Sequence, residues 1–441
     1  MFNRVLIANR GEIALRVLRA CRELGIETVA VHSTVDEKAR HVRLADQAIC
    51  IGPADATQSY LNVPALLAAA EISGADAIHP GYGFLSENAE FADLCNQCGL
   101  TFIGPTPQNM NQWGDKVEAR KLAKSLSIPL MEGSAVLKDA EHAAQEGERV
   151  GFPVMLKASG GGGGRGMKII RSADEMRHAF PQAQAEALAG FNNGDLYCER
   201  FVEEPRHIEF QVLADGKGKV WVLGERECSI QRRHQKLVEE APSVAVSDEL
   251  RRDMAATLKR ALVDSDYVSA GTVELLMDER GNLAFMEMNT RIQVEHPVTE
   301  LITGVDLVQA QIRIAAGEEL DLPDEIPLKG HAIEVRVNAE DPESFVPWPG
   351  TIDEYHPPGG LGIRVDDGVF AGWTVPRSYD SLIAKVIAYG RDRNVAITRL
   401  RRALSETLVS GIRTNIPLHR RIVDHPDFIS GALSTRFLER L

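Results

Sequence analysis

The sequence predicts an α/β protein, α+β in part, with a parallel-sheet N-terminal unit, a mobile glycine-rich lid and a strand-rich C-terminal unit. Three observations carry this. Between residues 4 and 110, short β-branched runs alternate with helical stretches, the pattern of a parallel sheet wrapped by helices. Five consecutive glycines stand at 160–164 between two apolar, strand-like runs. Strands dominate from near Arg206, and later turns are marked by Gly359-Gly360 and Asp366-Asp367-Gly368.

In order along the chain, a strand is expected at 5–8 and a helix at 12–24, closed by Gly25. A second strand follows at 28–32, a long helix at 63–72, and further strands at 77–79 and 101–103. The first turn, Asn9-Arg10-Gly11-Glu12, lacks the G-x-G-x-x-G that lets a pyrophosphate approach the backbone. This Rossmann-like unit is therefore expected to be scaffold, without a nicotinamide cofactor. Gly104-Pro105-Thr106-Pro107 breaks the pattern, and a helical connector is expected at 116–126. One unit then runs to Glu199, a third begins near Arg206, and a C-terminal helix is expected around 395–408. The domains so expected are 1–113, 114–204, 205–329 and 330–441.

A net charge of −14 disfavours sequence-independent nucleic-acid binding, which needs a basic surface, but leaves room for a local cleft that takes anions. No apolar run approaches the roughly 20 residues needed to span a bilayer. The N-terminus enters a strand pattern without a signal peptide, so a cytoplasmic protein with no membrane partner is expected. Of six cysteines only Cys95 and Cys98 form a C-x-x-C. It lies at the end of a helical stretch and has no second ligand pair, so reduced thiols are expected, neither redox pair nor zinc site.

Four groups of residues carry chemistry. The glycine run follows a strand ending in Lys157 and precedes the strand 167–170, so its amides can wrap a polyphosphate without side-chain obstruction. No Gly-Lys-Ser/Thr closes the run, which excludes a Walker A loop. Next, 272–277 and 283–289 form a hairpin. Pairing Met277 with Leu283 brings Glu274 opposite residue 286, and one bulge sets it against Glu287. Glu287 and Asn289 share a face, and two carboxylates with an amide oxygen suit magnesium; solvated strand-edge acids are the alternative. Third, Arg291, Gln293 and Glu295 point one way if their stretch is extended, placing an oxyanion holder and a general base beside the metal. Fourth, 228–236 is a basic cluster that could recognise small anions, though surface salt-bridging is the default for such a run.

Together these stretches resemble the biotin carboxylases of the ATP-grasp superfamily, among them the biotin carboxylase subunit of acetyl-CoA carboxylase. The resemblance covers nearly the full length. It rests on Ala8-Asn9-Arg10-Gly11-Glu12-Ile13-Ala14, His79-Pro80-Gly81-Tyr82-Gly83-Phe84-Leu85-Ser86-Glu87-Asn88, the glycine run, Gln231-Arg232-Arg233-His234-Gln235-Lys236, Glu287-Met288-Asn289-Thr290-Arg291-Ile292-Gln293-Val294-Glu295-His296-Pro297 and Asn338-Ala339-Glu340-Asp341-Pro342. Trp348 and Arg377 depart from the pattern of the stand-alone bacterial subunit.

The resemblance implies an ATP-grasp fold and roles residue by residue. Lys116, Lys157, Gly163 and Gly164 would contact phosphates. Glu199, Arg200, Phe201 and Val202 would form the adenine hinge, with His207 and His234 as further nucleotide contacts. Glu274, Glu287 and Asn289 would hold magnesium or manganese and so reach ATP. Lys236, Arg291, Gln293 and Val294 would hold bicarbonate, with Glu295 as base; Tyr82 would meet biotin, and Arg336 would meet biotin or the phosphate product. The implied reaction passes through carboxyphosphate, with Arg291 stabilising the biotin enolate. No Ala/Val-Met-Lys-Met/Leu carrier motif is present, so a biotin carboxyl carrier protein and carboxyltransferase subunits are the expected partners, as other chains or as other parts of a longer natural protein, with a homodimer as the assembly. Another ATP-grasp ligase, of carbamoyl-phosphate or purine-synthesis type, and a non-catalytic nucleotide sensor are the competing readings.

Overall fold

Four buried, parallel-paired runs explain the N-terminal unit. In the computed structural model β1 (Arg4–Ile7), β2 (Glu27–Ser33), β3 (Gln47–Gly52), β4 (Ala77–His79) and β5 (Thr101–Phe102) form a parallel sheet in the order β3-β2-β1-β4-β5. The structure describes residues 1–159, 166–191, 193–233 and 235–441, apart from the side chains of 116, 117 and 191. β3 is the strand the sequence did not announce: it is an edge, mostly exposed, and so lacks the apolar run that buried parallel strands show. The helices Gly11–Glu23 and Val63–Ser73 match expectation to within a residue. Because strand order reverses between β1 and β4, the loops after them meet in a crevice, the usual ligand position in such sheets. Asn9 ties them together, its amide donating to the carbonyls of Pro80 (2.6 Å) and Tyr82 (2.7 Å).

The second unit packs β6 (Val154–Ala158), β7 (Met167–Ile170) and β8 (Leu196–Arg200) as an antiparallel sheet against the helices Ala140–Val150 and Ala173–Phe191. The glycine run lies between the paired strands β6 and β7, outside the described residues.

The largest element is an eight-stranded antiparallel sheet. It contains β9 (Arg206–Asp215), β10 (Val220–Arg232), β11 (Gln235–Ala241), β12 (Val268–Met277), β13 (Leu283–Asn289) and β14 (His331–Asn338), and then the strands Leu382–Gly390 and Ile363–Asp367. Their order is β13-β12-β9-β10-β11-β14, followed by 382–390 and 363–367. β11 pairs with β14 from Val238↔Val335 to Ala241↔Ala332, so the sheet continues across the expected boundary at 329/330.

The stretch 206–300 is less uniformly extended than expected. A helix at Asp248–Asp264 is capped by Ser247, which accepts from the Leu250 amide at 3.2 Å, and buries Met254, Leu258, Ala261 and Leu262 at helical spacing. The C-terminal helix forms at Arg393–Glu406. Cys95 is buried near the end of the helix Ala89–Gln97, and burial pushes its thiol up to about 12, while Cys98 is exposed. No described helix is long and apolar enough to cross a membrane.

Candidate active site

The β12–β13 hairpin has the register its sequence predicts. Met277 pairs with Leu283, a bulge follows Glu274, and Glu274 then faces Glu287 while Thr272 faces Asn289. Met286, displaced by the bulge, is 40% exposed. Opposed residues share a sheet face, so both carboxylates and the Asn289 amide lie on one side. Glu274 is buried. Lys236 (2.7 Å) and the Gln293 amide (3.1 Å) donate to its Oε1, and His207 Nε2 lies 3.2 Å from Oε2. Burial alone would raise this carboxyl, but Lys236 and then His207 hold it far below the usual range. Two carboxylates and an amide oxygen on one hairpin, with Glu209 beside Glu274 and His207, fit a hard divalent cation.

Lys236 is the centre of the site. Its ammonium donates to Glu209 Oε2 (2.5 Å), Glu274 Oε1 (2.7 Å) and Glu295 Oε1 (2.8 Å). Surface salt-bridging is thus wrong for this residue: its side chain is only 10% exposed, because β10 and β11 pair up to Arg232↔Gln235 and turn it inward. Despite burial, the three carboxylates hold its pKa well above the ordinary lysine value. Behind it lies Arg226, fully buried, which donates to Glu209 (2.5 Å), Gln211 (2.7 Å), Thr299 (2.9 Å) and Thr272 (3.2 Å).

Glu295 is also fully buried, and Arg336 donates to its Oε2 at 2.8 Å. Burial pushes this carboxyl up, yet Lys236, Arg336 and Arg226 together hold it well below the usual range, so it is ionised. Arg336 also donates to Glu239 (2.6 Å), whose carboxyl burial raises to about 7.

The expectation that Arg291, Gln293 and Glu295 point one way is corrected. β13 ends at Asn289, the chain bends, and Glu295 becomes the N-cap residue of the helix His296–Thr303, which starts at once with Pro297 in its first turn. Arg291 instead donates to Glu87 (2.8 Å), Gln293 (2.8 Å) and Asn289 (2.9 Å). Gln293 links it to Glu274, so Arg291 joins the network of Lys236 through two side chains, whereas Glu295 bonds Lys236 directly. The Val294 carbonyl accepts from Lys385 at 2.8 Å.

Tyr82 donates to Glu12 across the β1/β4 crevice, and burial together with the Glu12 carboxylate pushes the phenol well above its ordinary pKa. Gly81 makes this approach possible: its φ is +62°, and a Cβ there would stand 2.9 Å from Ile13.

His207 lies with Glu274, and the other described residues expected to contact nucleotide form a second group. Lys157 on β6 and Arg120 both pair with Glu199 on β8. The Arg200 amide donates to Glu132 (2.8 Å) and the Phe201 amide to Pro153 (3.1 Å), while Val202 is buried. Arg200 reaches Asp278, at the turn of the β12–β13 hairpin, at 3.4 Å. Gly163, Gly164, His234 and the Lys116 side chain lie outside the described residues.

Sequence reasoning included Glu12 and Glu87 in matching stretches without giving either a role, and it missed Glu209, Arg226, Glu239 and Lys385. One sign was present for Glu209: in His207-Ile208-Glu209-Phe210-Gln211 polar residues alternate with apolar ones, and both faces of this strand are buried. A polar face that is buried must bond within itself.

Comparison with known proteins covers the whole chain. Residues 1–110 match the family model "Biotin carboxylase, N-terminal domain", 115–323 match "Carbamoyl-phosphate synthase L chain, ATP binding domain", and 334–440 match "Biotin carboxylase C-terminal domain". The biotin carboxylase of Haemophilus influenzae is 55% identical over 443 residues, covering 100% of this chain and 99% of that protein. A Campylobacter jejuni biotin carboxylase–β-γ-ATP complex superposes with a TM-score of 0.94 at 43% identity, covering 100% and 99%. The biotin carboxylase domain dimer of Hydrogenobacter thermophilus 2-oxoglutarate carboxylase, in complex with MgADP, ADP and bicarbonate, gives 0.92 at 50%, covering 100% and 98%.

Proposed function

This chain belongs to the biotin carboxylase family, and we propose that it carboxylates biotin, presented by a carrier protein, from bicarbonate at the expense of ATP. The observation that carries the proposal is the Lys236 centre, where one ammonium joins a metal-type carboxylate, Glu274, to an ionised base, Glu295.

In this mechanism Glu274, Glu287 and Asn289 hold magnesium or manganese, which when bound neutralises charge on the phosphates of ATP. Lys116, Lys157, the amides of Gly163 and Gly164, His207, His234 and the 199–202 strand bind the nucleotide. Bicarbonate lies among Lys236, Arg291, Gln293 and Val294. As it draws Lys236 and Arg336 toward itself, Glu295 loses the neighbours that depress its pKa and becomes a stronger base where the proton must be taken. Bicarbonate then attacks the γ-phosphorus to give carboxyphosphate and ADP. Carboxyphosphate yields carbon dioxide and phosphate, phosphate takes the ureido proton of biotin, Arg291 stabilises the enolate oxygen, and the ureido nitrogen then bonds to the carbon of carbon dioxide to give carboxybiotin. Arg336 and Tyr82 orient biotin in the crevice. The functional units are 1–113, 114–204, 205–329 and 330–441, the last two sharing one continuous sheet; the working assembly is a homodimer served by a carrier protein and carboxyltransferase subunits.

ADP release tests this directly. It is expected to require bicarbonate and magnesium and to accelerate with free biotin. Equal turnover with ammonia or glutamine in place of bicarbonate would favour another ligase of this superfamily and end the carboxylase proposal.

A further inference from the structure

The motif around Glu12 has no task in the mechanism above, and neither does the fully buried Lys385. They meet. Lys385 stands on the strand Leu382–Gly390, donates to the Val294 carbonyl at 2.8 Å, and lies 3.1 Å from Glu12 Oε1 and 3.9 Å from Asp366 Oδ2. Glu12, in the first turn of the helix Gly11–Glu23, accepts from the Tyr82 hydroxyl. One buried cation therefore contacts the residue before the proposed base and, through one carboxylate, the tyrosine proposed to meet biotin.

Stability alone is a poor reason for such an arrangement. A buried ion pair repays little more than its own desolvation, and apolar side chains of the same volume often do as well. Geometry is a better reason. The turn 290–295 is not part of a strand or helix ladder, so the position of its backbone depends on individual bonds such as that from Lys385 to Val294. Glu12 ties the same ammonium to the opposite wall of the crevice.

We propose that Lys385 is a positioning residue for carboxylation: with Glu12 it fixes the Val294 carbonyl, and the peptide leading into Glu295, relative to Tyr82. This rests on the carboxylase function proposed above. The link runs through residues of 1–113, 205–329 and 330–441, so its loss should disturb bicarbonate and biotin while sparing the nucleotide.

The test replaces both charges in the full-length chain, Glu12→Gln with Lys385→Met, so that neither remains buried without its partner. The introduced glutamine still accepts from Tyr82, but the introduced methionine cannot hold the Val294 carbonyl. Steady-state ADP release is measured against bicarbonate, biotin and ATP, with thermal melting as the fold control. The expected result is a rise in the bicarbonate KM of about tenfold or more, with kcat lowered and the ATP KM within about twofold, because displacement of a reacting group by about 1 Å can cost a hundredfold in rate. Unchanged bicarbonate kinetics in a folded double variant would overturn the proposal, as would an equal loss in every parameter. If the double variant does not fold, Glu12→Gln alone decides: a selective rise in the biotin or bicarbonate KM supports the proposal, while normal kinetics, or failure to fold, leaves the pair a purely structural element and overturns it. The unchanged chain is assayed first. Absence of bicarbonate-dependent ADP release there would defeat the carboxylase function, a failure separate from normal kinetics in the variants.

Discussion

Replacing Lys236 by methionine keeps most of the side-chain volume and removes the cation shared by Glu209, Glu274 and Glu295. Each carboxylate keeps another partner: Arg226 for Glu209, His207 and Gln293 for Glu274, and Arg336 for Glu295. The loss should therefore stay near the cost of breaking one buried ion pair, about 3–5 kcal/mol, and not three times that. It should also depend on pH with a definite sign. In the unchanged protein Glu274 and Glu295 are held below their ordinary pKa, so their contribution is present above about pH 4.5 and is lost as pH falls through the folded values. Without Lys236, burial prevails and these carboxyls rise, so mild acid relieves the variant by protonating them. Denaturant midpoints of both proteins at about pH 5.5 and about pH 8 should show the larger difference at the higher pH. ADP release should fall at least about a hundredfold. A stability difference that ignores pH would mean that Lys236 does not set the charge state of these carboxylates.

Three more outcomes are expected. Glu287→Gln should abolish turnover at saturating magnesium while leaving circular dichroism unchanged, since it removes charge from the metal face with little change in volume; normal activity would make Glu287 a strand-edge acid. Arg291→Ala and Glu295→Ala should each lower biotin carboxylation by at least about a hundredfold with a much smaller effect on the ATP KM, and a pure loss of ATP affinity would contradict both roles. Glu239, raised to about 7, contributes stability that is fully present below about pH 4.5 and is lost as pH rises through the folded value. Glu239→Gln should therefore flatten the pH dependence of the denaturant midpoint between about pH 5 and 8, and an unchanged slope would refute that titration.

The metal hairpin was legible because two local rules act together: strand alternation puts Glu287 and Asn289 on one face, and a single bulge sets Glu274 against Glu287. The turn after Asn289 was not, since parity holds only while a strand continues, and Pro297 starts a helix instead. Lys236 looked like part of a surface run because neighbouring arginines share its charge; only pairing across β10 and β11 turns it inward. Glu239, Arg226 and Lys385 could not be seen as a set, because their partners lie far away in sequence. β3 was missed for the opposite reason, as an exposed edge needs no apolar pattern. The helix Asp248–Asp264 did carry a local sign, a serine cap before apolar residues at helical spacing.

The continuous eight-stranded sheet has a consequence for how this protein can be divided or assembled from parts. Cutting at 329/330 would remove β14 and strip β11 of its hydrogen-bonded neighbour from Val238 to Ala241. That would bare an unpaired strand edge, the kind of template on which unrelated chains add as extra strands and precipitate. It would also take Arg336 from Glu295, so neither fragment would keep a complete centre. By its hydrogen bonding 205–441 is one piece, whereas β6–β8 form a separate small sheet whose removal would open no edge of the large one.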